Sequence, residues 1–481
     1  MPDSPSTSAL DVPRSQPAVN SIGLWQIVFL VISAAAPLTG ALGGVPPAIS
    51  LGNGAGIPGA FVIAGLVLLV FSVGFASMSR HVVRAGAFYA YLTAGLGRPI
   101  GMAGAFVALL SYTSIQIALY GLFGFFCSTI LGPLLQTSLP WYGYAVGCAA
   151  IVQFTGLRGI DLNSRVLGVL MCLELGILLL LSGAILLHGG GPDGLTLAPF
   201  APRHLLGGHV GIAVMFAFAS FIGFEATAIY GQECRNPRRT VPRATHLSVV
   251  LILLFFAFVT WTIVCAYGVS QVADAATRHP GDFWFIQSDR YLGSALTTTM
   301  SFLLLTSLFA SLLSFHNMIV RYLHALASER ILPVALQRLH PKHGSPYLAS
   351  YLQTLSILVP LAIYAALGTD PFATVFSCTA ALGILGVVLL QAGTSVSVAV
   401  FFMVTRLDTR LWHARLAPVL GALALFAVAA ILIRNLDALS GSDSPVIATF
   451  PWIHAGVALV GIAVGLVLRR VRPDIYARFG Q

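Results

Sequence analysis

Residues 216–240 read Phe216-Ala-Phe-Ala-Ser-Phe-Ile-Gly-Phe-Glu-Ala-Thr-Ala-Ile-Tyr-Gly-Gln-Glu-Cys-Arg-Asn-Pro-Arg-Arg-Thr240, and the fold turns on how this run is read. It begins as an apolar helix suited to lipid and meets Gly223. It presents a carboxylate two residues later at Glu225 and ends in an arginine-rich loop. An acid at the centre of a membrane helix costs roughly 2.5–3.5 kcal/mol, so it faces a cavity or a partner. A glycine beside it lets the backbone leave the helix, and the freed amides and carbonyls can then meet a ligand. The run is therefore expected to form half of a binding site.

The rest of the chain supports a membrane setting. Of 481 residues, 57% are hydrophobic and only 9% charged, against about 25% charged in ordinary soluble domains. Twelve apolar segments are read at 22–50, 57–78, 100–130, 139–156, 164–187, 209–233, 244–269, 293–328, 347–367, 374–404, 415–433 and 450–470. Each supplies the ~20 residues that span hydrocarbon. With the loops placed on alternating sides, 21 basic residues fall on the side of the N-terminal tail and four on the other, which accounts for all 25. That bias assigns the tail side, and with an even count both termini, to the cytoplasm. A plasma (inner) membrane protein is expected. The basic residues are scattered over many loops, so no nucleic-acid partner is read from them. Residues 1–21, rich in Pro and Ser, are read as a disordered cytoplasmic tail. The six cysteines show no paired spacing and are read as small core residues.

The first segment is also interrupted. Ala36-Pro-Leu-Thr-Gly-Ala-Leu-Gly-Gly-Val-Pro-Pro47 places three prolines and three glycines inside an apolar run. Proline removes an amide donor and clashes with the preceding turn, and in lipid this is tolerated where the broken backbone lines a cavity. Segments one and six are corresponding members of two five-helix halves. Interrupted helices at matching positions are the best pointer from sequence to a transporter site built on inverted repeats.

Ser220-Phe-Ile-Gly-Phe-Glu225 followed by Asn236-Pro-Arg-Arg-Thr-Val-Pro242 resembles the sixth helix and following loop of the amino acid–polyamine–organocation (APC) permeases. Gln232 departs from the pattern, since many relatives carry a second glutamate beside Glu233. The resemblance implies an all-α polytopic membrane protein of about twelve transmembrane helices. It also implies a leucine-transporter-type 5+5 inverted repeat with helices one and six discontinuous. The corresponding division is 22–187 for the first repeat, 188–404 for the second, and 405–481 for two additional helices with a cytoplasmic tail. Gly86-Ala-Phe-Tyr-Ala-Tyr91 with Gly95-Leu-Gly97 resembles the family's cytoplasmic linker, and a solvated loop fits it equally well. Segments eleven and twelve, nearly free of polar residues, read as scaffold or as the contact to a second protomer of a homodimer.

The expected substrate is an amino acid or a related amine. A zwitterion's carboxylate needs donors and its ammonium needs acceptors, and a helix broken in mid-membrane exposes both. The carboxylate is placed against the segment formed by Pro37, Leu38, Thr39, Gly40, Ala41, Gly43 and Gly44, on amides of 39–44. The ammonium is placed against carbonyls near Phe218, Ala219, Ser220, Phe221 and Ile222. The resemblance puts Ala219 where an arginine/agmatine exchanger of the superfamily carries a tryptophan, which removes a cation–π platform and tilts the reading away from a guanidinium. It puts Glu225 on that exchanger's pH-responsive glutamate. Some proton-coupled relatives carry a lysine nine residues after an arginine matching Arg165, and here that spacing lands on Glu174.

The proton-coupling candidates are therefore Glu225 first and Glu174 second, each weighed against a fixed hydrogen-bonding role. His316, in Ser311-Leu-Leu-Ser-Phe-His-Asn317, is the third, since histidine titrates near neutrality. Ser311 and Ser314 are ion-site hydroxyls by analogy alone. The loop 269–291 reads as a solvated cap. No phosphate-cradling loop, metal-ligand spacing or Ser-His-Asp set is visible, so no enzyme, metal or cofactor is expected. The expected function is proton-coupled symport by alternating access, driven by the proton-motive force, with sodium open as the alternative ion. An amino acid/polyamine exchanger and a transport-inactive sensor or scaffold on the same fold are the alternatives.

Overall fold

The computed structural model describes residues 23–82, 86–158, 164–229, 231, 234–440 and 445–480. The tail 1–21, and Gln232 with Glu233, lie outside them. All regular structure among the described residues is helical. Among the described residues, nine helical runs are long and apolar enough to cross a membrane. The twelve expected segments reduce to nine for local reasons. Segments one and two are joined into one run, Leu24–Ser79. Segment four is the shorter helix Trp141–Leu157, and segment six is cut to Val210–Ala219 by its break.

The elements used below are α1 (Leu24–Ala35), α2 (37–53), α3 (Ile57–Ser79), α4 (Ala87–Leu96), α5 (Arg98–Leu135), α6 (Trp141–Leu157), α7 (Ser164–Leu187), α8 (Val210–Ala219), α9 (Ala226–Ile229), α10 (Pro237–Tyr267), α11 (Phe283–Leu292), α12 (Ser294–Ser328), α13 (Tyr347–Ala366), α14 (Ser377–Thr405), α15 (Ala417–Arg434), α16 (Phe450–Val471) and α17 (Pro473–Arg478).

Lipid is as apolar as leucine, so the spans are held together by close packing and by hydrogen bonds between helices. The α16–α5 contact shows the packing. Gly461 and Gly465 lie one turn apart, and a methyl group on Gly461 would sit 2.6 Å from the Ala103 backbone. Gln116 of α5 shows the hydrogen bonding: it accepts from Gln353 of α13 at 2.6 Å and donates to the Leu312 carbonyl of α12 at 3.2 Å. The spans α15 and α16, expected as scaffold or partner contact, pack on this chain's own α14, α3 and α5. The linker after segment two is a helix, α4, with residues 87–92 all buried. In the connection from α14 to α15, Arg410 lies 2.7 Å from Asp408 and holds its carboxyl down to about 2. The pair adds stability above the ordinary carboxylate range and loses it only as pH falls through that value, so it stays ionised between about pH 5 and 8.

Candidate functional site

Both interrupted spans are broken, and the breaks meet. Helix α1 ends because Ala36 turns left-handed, at φ 43°, after its amide has bonded the Ile32 carbonyl at 3.0 Å. Pro37 then occupies the first position of α2, where its fixed φ suits a helix start and its missing amide costs nothing. Residues 37–44 are therefore helical, first α and then π around Gly40–Gly44. The break thus lies one residue ahead of the stretch named for the carboxylate. Gly40 already bonds the Ala36 carbonyl at 2.9 Å. The geometry of a helix start leaves the amides of Leu38 and Thr39 without an intrahelical acceptor, so the donor end is narrower than the expected 39–44.

The second break runs from Ser220 to Glu225. Successive bonds span three residues here: Phe221 to Phe218 at 3.1 Å, Ile222 to Ala219 at 3.2 Å and Phe224 to Phe221 at 3.4 Å. Each of these carbonyls keeps a second lone pair for a ligand. Gly223 has φ 114°, which suits glycine alone. Its α-carbon also lies against α1, since a methyl there would be 3.1 Å from the Ala34 side chain and 3.3 Å from the Ala35 nitrogen. Ser220 Oγ sits beside the opposite break, 3.4 Å from where a Cβ on Gly40 would stand.

Glu225 is fully buried and both of its oxygens are engaged. Oε2 accepts the Gly223 amide at 3.0 Å and Oε1 accepts the Tyr112 hydroxyl at 3.1 Å. The carboxylate thus ties the irregular turn to α5. Glu174 of α7 reaches the other break through one intermediary. Ser307 of α12 donates to Glu174 Oε2 at 2.6 Å, and Thr39 donates to Ser307 Oγ at 3.3 Å. One turn along α12, Ser311 donates toward the Ser33 and Ala34 carbonyls at 3.3 and 3.4 Å. Glu174, Ser307, Ser311 and Thr39 thus converge where α1 stops and α2 starts. Ser314 has no recorded bond to either break.

His316 lies elsewhere. Its Nε2 is 2.9 Å from Ser350 Oγ of α13, and Ser350 in turn donates to Gln153 of α6 at 3.1 Å. Thr354 bonds the same Gln153 oxygen. That seam joins α6, α12 and α13 and touches neither break.

Two residues not named from sequence belong to the site. Tyr112, a phenol inside an apolar run, partners Glu225. Trp284 of α11 is buried and donates Nε1–H to the Ala41 carbonyl of α2 at 2.8 Å. This corrects the reading of 269–291 as a solvated cap: Phe283 and Trp284 fold inward because an indole that can donate one hydrogen bond is fully accommodated there. Trp284→Phe removes the donor and leaves a smaller aromatic ring in the buried position, so α2 loses an outer tether worth about 1 kcal/mol together with some packing. A several-fold weaker apparent substrate affinity, with little change in maximal rate, is expected in a concentration series of uptake.

Of the residues named for the site, Pro37, Leu38, Thr39, Ala41, Gly43, Phe218, Ser220, Phe221 and Ile222 are buried, while Gly40, Gly44 and Ala219 are half-buried. A cleft of about 250 Å³ lies farther out, where Phe125, Phe126, Asp282, Phe285 and Thr297 line the junction of α5, α11 and α12. Among the described residues no His, Cys, Asp or Glu group has metal-binding geometry.

Comparison with known proteins bears on the family. A branched-chain amino acid permease, BcaP, of Bacillus subtilis (strain 168) is 24% identical over 339 residues, covering 64% of this chain and 68% of its own. The BcaP of Lactococcus lactis subsp. cremoris (strain MG1363) is 26% identical over 340 residues, covering 65% and 70%. A low-affinity putrescine importer, PlaP, of Escherichia coli (strain K12) is 21% identical over 301 residues, covering 60% and 63%. A family model described as amino acid permease matches residues 26–468. With nearly the whole chain inside that match, the protein is a member of the amino acid permease family.

Proposed function

We propose that the chain carries a small amino acid with an apolar side chain into the cell by alternating access, coupled to a proton. The carrying observation is that two mid-membrane helix breaks face each other and offer opposite ends of the peptide dipole. The amides of Leu38 and Thr39 suit a carboxylate, and the carbonyls of 218–222 suit an ammonium. Around them stand apolar groups. A Cβ on Gly43 would meet Leu122 at 3.6 Å and Phe376 at 3.9 Å, and one on Gly40 would meet Phe256 at 3.0 Å. Among the described residues the two carboxylates near the breaks, Glu225 and Glu174, both accept hydrogen bonds from the protein, which favours a zwitterion over a diamine. The named activity of the two BcaP relatives favours the same substrate class.

The proton is assigned to Glu174, whose hydroxyl relay ends on Thr39 at the mouth of α2. Glu225 is assigned to holding the unwound turn. The arginine-rich loops orient both termini to the cytoplasmic side of the inner membrane.

Proteoliposomes test this with labelled leucine, isoleucine and valine, and with putrescine as the competing class. Uptake of the branched amino acids should rise with an inward proton gradient and not with a sodium gradient. Uptake independent of either gradient but dependent on internal substrate selects exchange. Binding in a thermal-shift screen without flux selects a sensor, and preference for putrescine overturns the substrate class.

A further inference from the structure

We propose that residues 473–480 form a latch on the arginine-rich face, which holds the inner path shut by clamping α4. After α16 the chain folds back under the bundle as α17. In this short segment after α16, Ile475 is buried and Phe479 is fully buried. Phe479 stacks on Tyr89 of α4, with centroids 5.4 Å apart and planes within 19°. Arg98, the first residue of α5, grips the same segment by its backbone. Its Nε donates to the Phe479 carbonyl at 3.3 Å and its Nη2 to the Ala477 carbonyl at 2.9 Å. Its guanidinium stands 5.3 Å from the Tyr476 ring.

What the segment holds is connected to the site by two routes. Tyr89 meets Tyr322 of α12 edge-on at 5.2 Å, and Tyr322 lies 6.5 Å from Tyr112, whose hydroxyl bonds Glu225. Tyr89 also donates toward Glu329 at 3.4 Å. On its other side, α4 presses Tyr91 and Phe88 against Phe75 of α3, at 4.9 and 6.1 Å. Phe75 in turn touches Phe224 in the unwound turn, at 6.5 Å. An aromatic column therefore runs from Phe479 to the break, and α4 is its joint.

The grip is local: the buried Phe479 and Ile475 side chains, one ring stack, one cation–ring contact and two hydrogen bonds to carbonyls. Contacts of that kind are broken and remade on the time scale of gating motions. Tyr89 of α4 is held between Phe479 and Tyr322, so on this proposal α4 leaves the column only once Phe479 is unseated. Release of Phe479 is the step that frees it.

The test needs no substrate, so it stands apart from the transport reading. In the full chain in lipid nanodiscs, Phe479→Ala should speed hydrogen–deuterium exchange of the Ala87–Leu96 amides at least tenfold. Alkylation of an Ala90→Cys variant by an impermeant maleimide should rise to match, while exchange in α16 stays unchanged. Phe479→Leu should fall between. Arg98→Gln, which keeps the ring and removes the backbone grip, should move α4 in the same direction and serves if Phe479→Ala does not fold. Unchanged α4 exchange and alkylation in Arg98→Gln, or a rise spread equally over α16, would overturn the latch.

Discussion

Glu225→Ala abolishes transport and lowers the melting temperature, whereas Glu225→Gln keeps the fold, measurable transport and its pH dependence. The carboxylate is buried and accepts two bonds, one from the Gly223 amide and one from the Tyr112 hydroxyl. Alanine strands both donors, and a buried donor without a partner costs about 1–3 kcal/mol. At about 1.4 kcal/mol per tenfold, the two together depopulate the unwound turn by on the order of a hundredfold or more. Glutamine differs. Its amide oxygen accepts the Gly223 amide, and its NH₂ donates to Tyr112, whose oxygen also accepts. The turn is then held without a titrating group. Thermal unfolding and uptake as a function of external pH measure both halves of this expectation. A flat pH profile in Glu225→Gln returns the proton to Glu225, and normal stability in Glu225→Ala removes its tethering role.

The membrane class and the second break were legible because each rests on a local conflict. Few charges in a long apolar chain, and a glycine two residues before a carboxylate, have few resolutions in lipid. The first break was legible in kind and displaced in place. The prolines and glycines at 37–47 mark the region, yet Pro37 fits a helix start and the residue that turns is Ala36, whose place directly before a proline is the signal that fixes the break there. Tyr112, Ser307 and Trp284 were not read as site residues. Their roles come from pairings across 113, 133 and 243 residues of chain, and a lone hydroxyl or indole carries no periodicity that names its partner. A tryptophan in a loop otherwise supplied with Asp and Arg was the one available hint. His316 shows the reverse: it drew attention as a titratable group in an apolar helix, and its bonds run to α13 and, through Ser350, to α6, away from both breaks.

Glu174→Gln uncouples the carrier. Glutamine is nearly isosteric, so the Ser307 hydroxyl keeps an acceptor and the relay to Thr39 survives. What is lost is the ability to take up and release a proton where α1 and α2 part. On the proposed reading, substrate at the breaks would contact Thr39, and Thr39 is two hydrogen bonds from the carboxyl. Protonation of Glu174 and occupancy of the breaks would then bias the same pair of conformations, which is the energetic meaning of coupling. In Glu174→Gln, uptake under an inward proton gradient should drop roughly tenfold or more, to the level seen without one, since a single tenfold step reflects only about 1.4 kcal/mol of lost drive. Exchange of labelled for unlabelled substrate at equal concentrations should persist, because it needs no net proton movement. Glu174→Ala should fail in both assays, as it leaves Ser307 without its acceptor. Gradient-driven uptake in Glu174→Gln equal to that of the parent chain, measured beside intact exchange, would move coupling off α7 altogether and leave the Ser311 hydroxyl with the Ser33 and Ala34 carbonyls as the place to look for the ion.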